Sequence, residues 1–268
     1  MRKYLALLPV AFVLMSSGCS KKPVATTTES GLTYTIYSDG KGEKPDSGDY
    51  VYIMYRGHLD SAGQDGAPFD ASYDRNQPII YRLGVDKLIK GWQEGVPMLA
   101  KGDSASFVIP PDLAYGETGR DKIPANSTLR FEIKLEDFDQ PDFGVPFAIP
   151  AGDTITDPSG IKYAFIRKTN WQAAQPGNVV AMHYKGYFLN GEVFDESISK
   201  GRPFTFKLGQ GGVIKGWDIV AAKMNVGDKV RVIIPPALAY GPNDFSSIPG
   251  GSTLIFDIIM IGAYEQQH

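Results

Sequence analysis

The sequence predicts an α+β protein with two tandem domains, each an antiparallel β-sheet that packs on one short α-helix. The main observation is an internal repeat, because the segment LIKGW at 88–92 returns as VIKGW at 213–217, an offset of 125 residues. Similarity at a fixed offset indicates two copies of one structural unit. Most of each copy also alternates apolar and polar residues, as half-buried strands do, while one segment per copy has helical spacing.

The repeat sets the predicted domain boundaries. The same offset of 125 relates STLRF, which ends at Phe131, to STLIF, which ends at Phe256. We therefore predict a first domain at 30–139 and a second at 157–265. The linker between them, at 140–156, is rich in Pro, Gly and Asp but also carries aromatic residues, so we expect it to lie partly against one domain.

The first copy contains a short insertion. Upstream of it the offset is 129, since the YRG segment at 55–57 corresponds to YKG at 184–186. The first copy therefore has four extra residues between Tyr55 and Phe69. Because this stretch is polar and Gly-rich, it predicts a surface loop rather than a strand or a helix.

Each copy begins with strands of period-2 alternation, which in the first copy lie at 32–36 and 51–55 with turn-forming residues between them. Further strands are predicted at 79–83, 104–109 and 128–137 in the first copy and at 204–208, 229–234 and 253–261 in the second.

One helix per copy follows the repeated motif. Trp92, Val96 and Leu99 recur at i, i+4 and i+7, and the corresponding positions in the second copy have the same spacing. Pro97 lacks a backbone N–H and breaks helical hydrogen bonding, so the first helix should be shorter or bent. One short amphipathic helix on one sheet face is an α+β arrangement.

The composition is that of an ordinary globular protein, with 43% hydrophobic and 21% charged residues and a formal net charge of -3. Nucleic acid is not an expected partner, because there is no basic excess. The chain has one cysteine, so no intramolecular disulfide can form and both cores must be held by packing.

The N-terminus is typical of an export signal. Two basic residues precede an apolar run at 4–15 that is shorter than the roughly 20 residues needed to span a bilayer. Cys19 follows directly and resembles the processing site of a bacterial lipoprotein, although Ser16 departs from the usual leucine. We expect residues 1–19 to be a signal that ends at a lipidated Cys19, with 20–29 as a flexible tether. The alternative is a plain secretory signal with an incidental cysteine.

The expected location is the periplasmic face of a bacterial membrane, to which the N-terminal lipid would anchor the chain. Ser20, rather than aspartate, follows the cysteine and favours the outer membrane by the rule for enteric bacteria.

Each copy carries the same set of apolar and aromatic residues with one acid and one tyrosine. In the first copy the set is Tyr55, Phe69, Asp70, Ile79, Tyr81, Leu88, Ile89, Trp92, Tyr115, Ile123 and Phe131. In the second copy it is Tyr184, Phe194, Asp195, Phe204, Phe206, Val213, Ile214, Trp217, Tyr240, Ile248 and Phe256. Any one of these aromatic residues could be ordinary core. As a set, they predict an apolar pocket with few polar groups.

These segments resemble the FKBP-type peptidyl-prolyl cis-trans isomerases. The matching motifs are PFDASYDRNQP and VFDESISKGRP, LGVDKLIKGW and LGQGGVIKGW, PPDLAYG and PPALAYG, and IPANSTLRF and IPGGSTLIF. They occur in the order and spacing of the family and cover nearly all of both copies. The resemblance implies a twisted antiparallel sheet wrapped around a short helix, with a proline pocket between them.

The resemblance also implies a role for each residue. Trp92 and Trp217 would be the floor under a proline ring, and the aliphatic pair before each would be a wall. Tyr115 and Tyr240 would donate hydrogen bonds to substrate carbonyls.

Asp70 and Asp195 would place a carboxylate beside the rotating bond or hold Tyr55 and Tyr184 in position, and the alternative for these acids is a turn-stabilising aspartate. Arg75 stands where the family often pairs an arginine with the acid, whereas the second copy has Lys200, a poorer bidentate partner.

The implied activity is isomerisation of X-Pro bonds in exported polypeptides, without a metal, a cofactor or a covalent intermediate. Proline-containing polypeptides and macrolides such as rapamycin would be ligands. The three histidines have no metal-ligand spacing, and no phosphate-binding or nucleophile motif occurs. The rival hypothesis is a chaperone or binding module that uses the same pockets without turnover.

Overall fold

The computed structural model describes residues 23–38, 42–61, 64–140, 143, 146–148 and 152–265. The first domain contains a seven-stranded antiparallel sheet. Its strands are β1 Thr26–Thr27, β2 Thr33–Ile36, β3 Tyr50–Ser61, β4 Gln64–Ala71, β5 Ile79–Arg82, β6 Ser104–Ile109 and β7 Leu129–Asp139. They lie in the order β1-β2-β6-β7-β3-β4, and β5 also pairs with β3.

The second domain repeats this topology strand for strand. Its strands are β8 Ile155–Thr156, β9 Lys162–Arg167, β10 Val179–Phe188, β11 Val193–Glu196, β12 Phe204–Lys207, β13 Lys229–Ile234 and β14 Leu254–Tyr264. Their order is β11-β10-β14-β13-β9-β8, and β12 pairs with β10. Two antiparallel sheets with few helices confirm the predicted α+β class.

The helices lie where the repeated motif predicts them. In the first domain α1 Lys90–Gly95 continues as a 3-10 helix at Val96–Met98, whereas α2 of the second domain is Lys215–Ala221. Pro97 lies in the 3-10 segment, so the predicted shortening of the first helix is confirmed. The motif glycine permits close packing, because a Cβ at Gly91 would lie 2.6 Å from Ile109 Cγ2 on β6.

Two sequence expectations are wrong. The insertion does not form a loop outside the sheet, since β3 continues to Ser61 and pairs with β4, which begins at Gln64. Extra residues shared between two paired strands lengthen the hairpin and keep their backbone hydrogen bonds. The predicted tether also ends early, because Thr26–Thr27 pairs with residues 33–34 of β2.

The two domains contact each other through a buried polar cluster. Arg167 on β9 donates hydrogen bonds to Asp137 (2.9 Å) and Asp139 (2.9 Å) on β7. Its guanidinium also lies 4.6 Å from the ring centre of Tyr52, whose hydroxyl donates to Asp139 (2.6 Å). Desolvation disfavours the charge on Arg167, but Tyr52, Asp139 and Asp137 outweigh it and raise its pKa.

Further contacts join the turn after β4 to the second domain. The N–H of Gln172 donates to the carbonyl of Asn76 (2.8 Å), and the Asn76 side chain donates to the carbonyl of Asn170 (2.8 Å). Ile80 packs against the core of the second domain. The described part of the linker also packs on that domain, since the N–H of Phe147 donates to Asp257 (3.0 Å).

Tyr81 offers a test of packing in the first core. Its side chain is 4% exposed, and its hydroxyl has no hydrogen-bond partner among the described residues. The corresponding residue of the second domain is Phe206, which has no hydroxyl. Because an unsatisfied buried hydroxyl is costly, Tyr81→Phe should raise the free energy of unfolding by about 1 kcal/mol in urea titrations. The reverse change, Phe206→Tyr, should lower it, and equal stability of Tyr81→Phe and wild type would contradict this reading.

His183 predicts a pH dependence. Its ring is 1% exposed, contacts Tyr50 of the first domain at 4.8 Å between ring centres, and has Nδ1 2.9 Å from Ser197 Oγ. Burial, and then the nearby Arg82, lower its pKa to about 4, although Asp86 acts in the opposite direction.

The folded state therefore binds this proton at a lower pH than the unfolded state does. The free energy of unfolding consequently decreases as the pH falls below 6.5. Between pH 7 and pH 5 this group should remove about 2 kcal/mol of stability. Urea unfolding of wild type and His183→Gln across that range measures the effect. Parallel pH profiles for the two proteins would refute it.

Among the described residues, no helix has the length and apolar character needed to cross a bilayer. The predicted signal and Cys19 lie outside the described residues.

Candidate active site

The first domain has a pocket between its sheet and α1, with a volume of about 90 Å³. Strands β3, β4, β5 and β7, the start of α1 and the loops before α1 and after β6 supply its walls. The lining residues are Tyr55, Phe69, Asp70, Ile79, Leu88, Ile89, Trp92, Tyr115 and Phe131. All of them belong to the set predicted from the sequence.

The second domain has the equivalent pocket, which at about 220 Å³ is the larger of the two. Its lining residues are Tyr184, Phe194, Asp195, Phe204, Gly212, Val213, Ile214, Trp217, Tyr240 and Phe256. Gly212 was not predicted as a site residue. Gly212 immediately precedes the repeated motif, and the first copy has Lys87 at this position. Its place next to the aliphatic pair could have indicated that it lines the pocket.

Five predicted residues are not among those that line the pockets, namely Arg75, Tyr81, Ile123, Phe206 and Ile248. Ile123 and Ile248 belong to the two hydrophobic cores, and each forms a bridge within its own loop, to Arg120 and Phe245 respectively. Their assignment as substrate-binding residues stays a prediction. Arg75 lies behind the first pocket, where it contacts Asp70.

The floor of each pocket is an indole held by aromatic edges. Trp217 makes near-perpendicular contacts with Tyr184 (5.0 Å between ring centres, 83°) and Phe256 (5.3 Å, 87°). Trp92 makes the same contacts with Tyr55 and Phe131 in the first domain. Edge-to-face packing of this kind stabilises the rings beyond simple burial. The indole is therefore a rigid, flat apolar surface at the bottom of each pocket.

One polar group of each pocket is an aspartate that accepts a hydrogen bond from a buried tyrosine. In the second domain the Tyr184 hydroxyl donates to Asp195 at 2.5 Å, and in the first domain Tyr55 donates to Asp70. A cation completes each cluster. Arg75 donates to Asp70 (2.6 Å) and to the Tyr55 hydroxyl (3.4 Å), whereas Lys200 donates to the carboxylate of Asp195 and lies 5.9 Å from the ring centre of Tyr184.

The electrostatics keep the aspartates charged and the tyrosines protonated. Desolvation, the largest effect on Asp70, favours its neutral form, but hydrogen bonds from Arg75 and Tyr55 outweigh it and lower its pKa. Burial, followed by the hydrogen bond to Asp70, raises the pKa of Tyr55 to about 12. Burial and Asp195 likewise raise the pKa of Tyr184. Each pocket therefore presents a fixed carboxylate at neutral pH.

The two pockets differ at the lining tyrosine that follows β6 or β13. Tyr240 stacks on Phe245, with ring centres 4.4 Å apart and an angle of 11°. At the corresponding place in the first domain the Arg120 guanidinium lies 5.7 Å from the ring centre of Tyr115. The second pocket is thus extended by an aromatic ring, and the first by a cation.

The remaining chemistry of the site is simple. Within the described ranges, no group of His, Cys, Asp and Glu side chains is placed to hold a metal ion. Each pocket combines a flat apolar floor, apolar walls and a single charged carboxylate. Such a site can bind a compact apolar ring and leave the polar groups on either side of it partly desolvated.

Comparison with known proteins agrees with this geometry. The family model for FKBP-type peptidyl-prolyl cis-trans isomerases matches residues 41–136 and 170–261, one match in each domain. The chain belongs to the FKBP family. Human (Homo sapiens) FKBP9, a peptidyl-prolyl cis-trans isomerase, is 33% identical over 216 residues, which cover 80% of this chain and 35% of that protein.

A bacterial relative matches one domain. FkpA from Escherichia coli strain K12, an FKBP-type peptidyl-prolyl cis-trans isomerase, is 43% identical over 118 residues, or 44% of this chain and 42% of that protein. The crystal structure of E. coli FkpA matches with a TM-score of 0.41 and 32% identity over 42% of this chain and 53% of that chain. This FKBP chain spans about a third of the length of FKBP9.

Proposed function

We propose that both domains catalyse cis-trans isomerisation of X-Pro peptide bonds in polypeptides. The observation that carries this proposal is the indole floor with a charged aspartate at its side, present in both pockets. Uncatalysed rotation crosses a barrier of about 18–20 kcal/mol and takes tens to hundreds of seconds. A reduction of the barrier by about 7 kcal/mol would accelerate it roughly 10⁵-fold.

In this mechanism the proline ring rests on Trp92 or Trp217 while the bond before it rotates. A twisted amide loses resonance, so its carbonyl carries less negative charge than that of a planar amide and needs less solvation. The apolar walls exclude water from that carbonyl and thereby favour the twisted form over the planar one. No covalent bond to the protein is required.

The polar residues hold the substrate and the site. Tyr115 and Tyr240 line the same pockets as the aspartates and would donate a hydrogen bond to a substrate carbonyl. Asp70 and Asp195 would act through their fixed charge next to the rotating amide, and they also hold the edges of Tyr55 and Tyr184 against the indole. Removal of the carboxylate would therefore disturb both charge and shape.

The difference in pocket volume favours different ligands. The second pocket is more than twice as large as the first, and Phe204 and Phe245 supply additional apolar surface near it. We propose that macrolides such as rapamycin bind this pocket more tightly than the first.

The isomerase proposal is tested with a protease-coupled assay on an X-Pro-Phe peptide. Asp70→Val and Asp195→Val should each lower the activity, and the double variant should lose at least about 100-fold in kcat/KM, the scale seen when fixed electrostatic groups are removed from active sites. Rapamycin should inhibit the activity that remains in Asp70→Val. If wild type binds the peptide but shows no turnover, the chain is a binding module and the isomerase proposal fails.

We further propose that the chain is exported and anchored through a lipid on Cys19 to the periplasmic face of a membrane. The sequence at 1–20 supports this proposal through its basic start, short apolar run and small residues before the cysteine. Wild type expressed in a bacterium should fractionate with membranes and carry an acylated N-terminus by mass spectrometry. Cys19→Ala should be released into the soluble periplasmic fraction, and unchanged fractionation of this variant would reject the anchor.

A further inference from the structure

Each pocket continues into a groove on the side of β5 or β12. In the first domain the groove shares Tyr55 and Ile79 with the pocket, extends over Pro78 and Ile80, and has a volume of about 240 Å³. In the second domain the equivalent groove shares Tyr184 and encloses about 600 Å³. The two grooves therefore start from matching residues but differ in size.

The difference arises because the second domain forms the outer wall of the first groove. Ile261 and Tyr264, at the end of β14, face Pro78, Ile79 and Ile80 across it. The residues that line the second groove all come from the second domain itself, including Lys200 and Arg202. The first groove is thus a composite of both domains, and its walls are predominantly apolar.

The position of this wall is set by close packing. The Tyr264 ring lies directly over Gly262, because a Cβ at Gly262 would be 2.4 Å from the Tyr264 hydroxyl and 2.5 Å from its Cζ. Only a residue without a side chain allows the ring to lie there. Tyr264 is nevertheless 51% exposed, so one face of the ring is available to a ligand.

The groove cannot widen freely, because the facing segment is attached to the second domain. Asn76, in the turn directly before Gln77 and Pro78, forms two hydrogen bonds with residues 170–172, one through its carbonyl and one through its side-chain amide. The same turn carries Arg75, which holds Asp70. The second domain thereby fixes both walls of the groove at a site that borders the first pocket.

The size and chemistry of the groove match one apolar side chain. An apolar cavity of about 150 Å³ accommodates a benzene ring, so the 240 Å³ here holds a side chain as large as leucine or phenylalanine. Arg75 also lines the groove, but its charge is paired with Asp70. Beyond Tyr264 the surface becomes polar, with Gln77, Gln172 and Glu265, where an extended polypeptide could leave toward solvent.

We propose that this groove is a subsite for an apolar residue that flanks the proline bound in the first pocket, and that Tyr264 of the second domain determines the preference. The proposal rests on the isomerase function proposed above. It assigns the second domain a role in substrate selection by the first, in addition to its own pocket.

The test uses the full chain carrying Asp195→Val, so that only the first pocket turns over. Peptides with one fixed proline carry a single leucine or a single lysine, moved stepwise through the positions on either side. We expect one position at which leucine exceeds lysine by about tenfold in kcat/KM, equivalent to about 1.4 kcal/mol. Tyr264→Ala should reduce this preference to less than about twofold, while Tyr264→Phe, which keeps the ring, should retain it.

Shorter peptides provide the control, because they fill the pocket but not the groove, and Tyr264→Ala should isomerise them at the parent rate. Ile261→Thr is a second wall variant and should weaken the same preference. It provides the test if Tyr264→Ala folds poorly. A preference that both variants leave unchanged, or no preference at any position, overturns the subsite.

The same peptides are also titrated by fluorescence. If none is isomerised, the isomerase function has failed, and a leucine preference in Kd that depends on Tyr264 still supports the subsite. If turnover is normal and no position depends on Tyr264, the subsite alone has failed.

Discussion

Replacing Arg167 by methionine is expected to lower the free energy of unfolding by about 3 kcal/mol. The side chains of Arg167, Asp137 and Asp139 are only 18%, 15% and 7% exposed, so the methionine leaves two carboxylates buried beside an apolar group. Removal of one partner from a buried ion pair costs more than the pair contributes, because the remaining charge loses its compensation. Lys101 still contacts Asp137 and Lys229 still contacts Asp139, so part of the charge compensation remains and keeps the loss from being larger.

Calorimetry measures the effect, and it also reports whether the domains still unfold together. Arg167→Lys is the matched control, since it keeps the charge but loses the planar fork that reaches both aspartates, and its loss should be about half as large. If Arg167→Met unfolds within about 0.5 kcal/mol of wild type, as an ordinary surface substitution would, the cluster does not hold the two domains together.

Trp217→Ala is expected to have the largest effect on the second domain. Its indole is 4% exposed and contacts four aromatic rings, so truncation leaves a cavity that costs about 4 kcal/mol. The same change removes the surface on which a proline ring would rest. In the Asp70→Val background, where the second pocket is the active one, kcat/KM should fall at least about 100-fold, or about 2.7 kcal/mol.

Loss of folding and loss of the floor are separated with Trp217→Leu. Leucine refills much of the cavity, so stability should recover by roughly half, but it offers no flat surface and activity should stay low. Urea unfolding and the peptide assay are run on the same preparations. Wild-type kcat/KM in Trp217→Leu would show that the indole serves the core and not the substrate.

The pocket residues were predictable because the chain contains two copies of one domain, and residues that both sites need recur in both copies. Asp70 and Asp195, or Trp92 and Trp217, recur at one offset within short matching segments, whereas the residues between those segments differ, and this separates the common site from its surroundings. Strands β6 and β13 were predicted with their observed bounds, because their alternation is regular.

What the sequence did not reveal depends on contacts between distant residues. Arg167 lies 28 positions from Asp139, and Tyr264 lies far from Ile79, so neither contact produces a periodic pattern. The extended β3–β4 hairpin was missed for a different reason. Its sequence is polar and Gly-rich like that of a loop, and side-chain polarity does not indicate that its backbone pairs as strands.

The most direct test of the account is exchange NMR on a proline peptide, with a small amount of the chain and no coupling protease. If both pockets isomerise X-Pro bonds, wild type produces cis-trans exchange cross-peaks that the peptide alone lacks, and the Asp70→Val, Asp195→Val double variant does not produce them. Peptide shifts that change on binding, without faster exchange in wild type, would contradict the account and identify the two pockets as binding sites only.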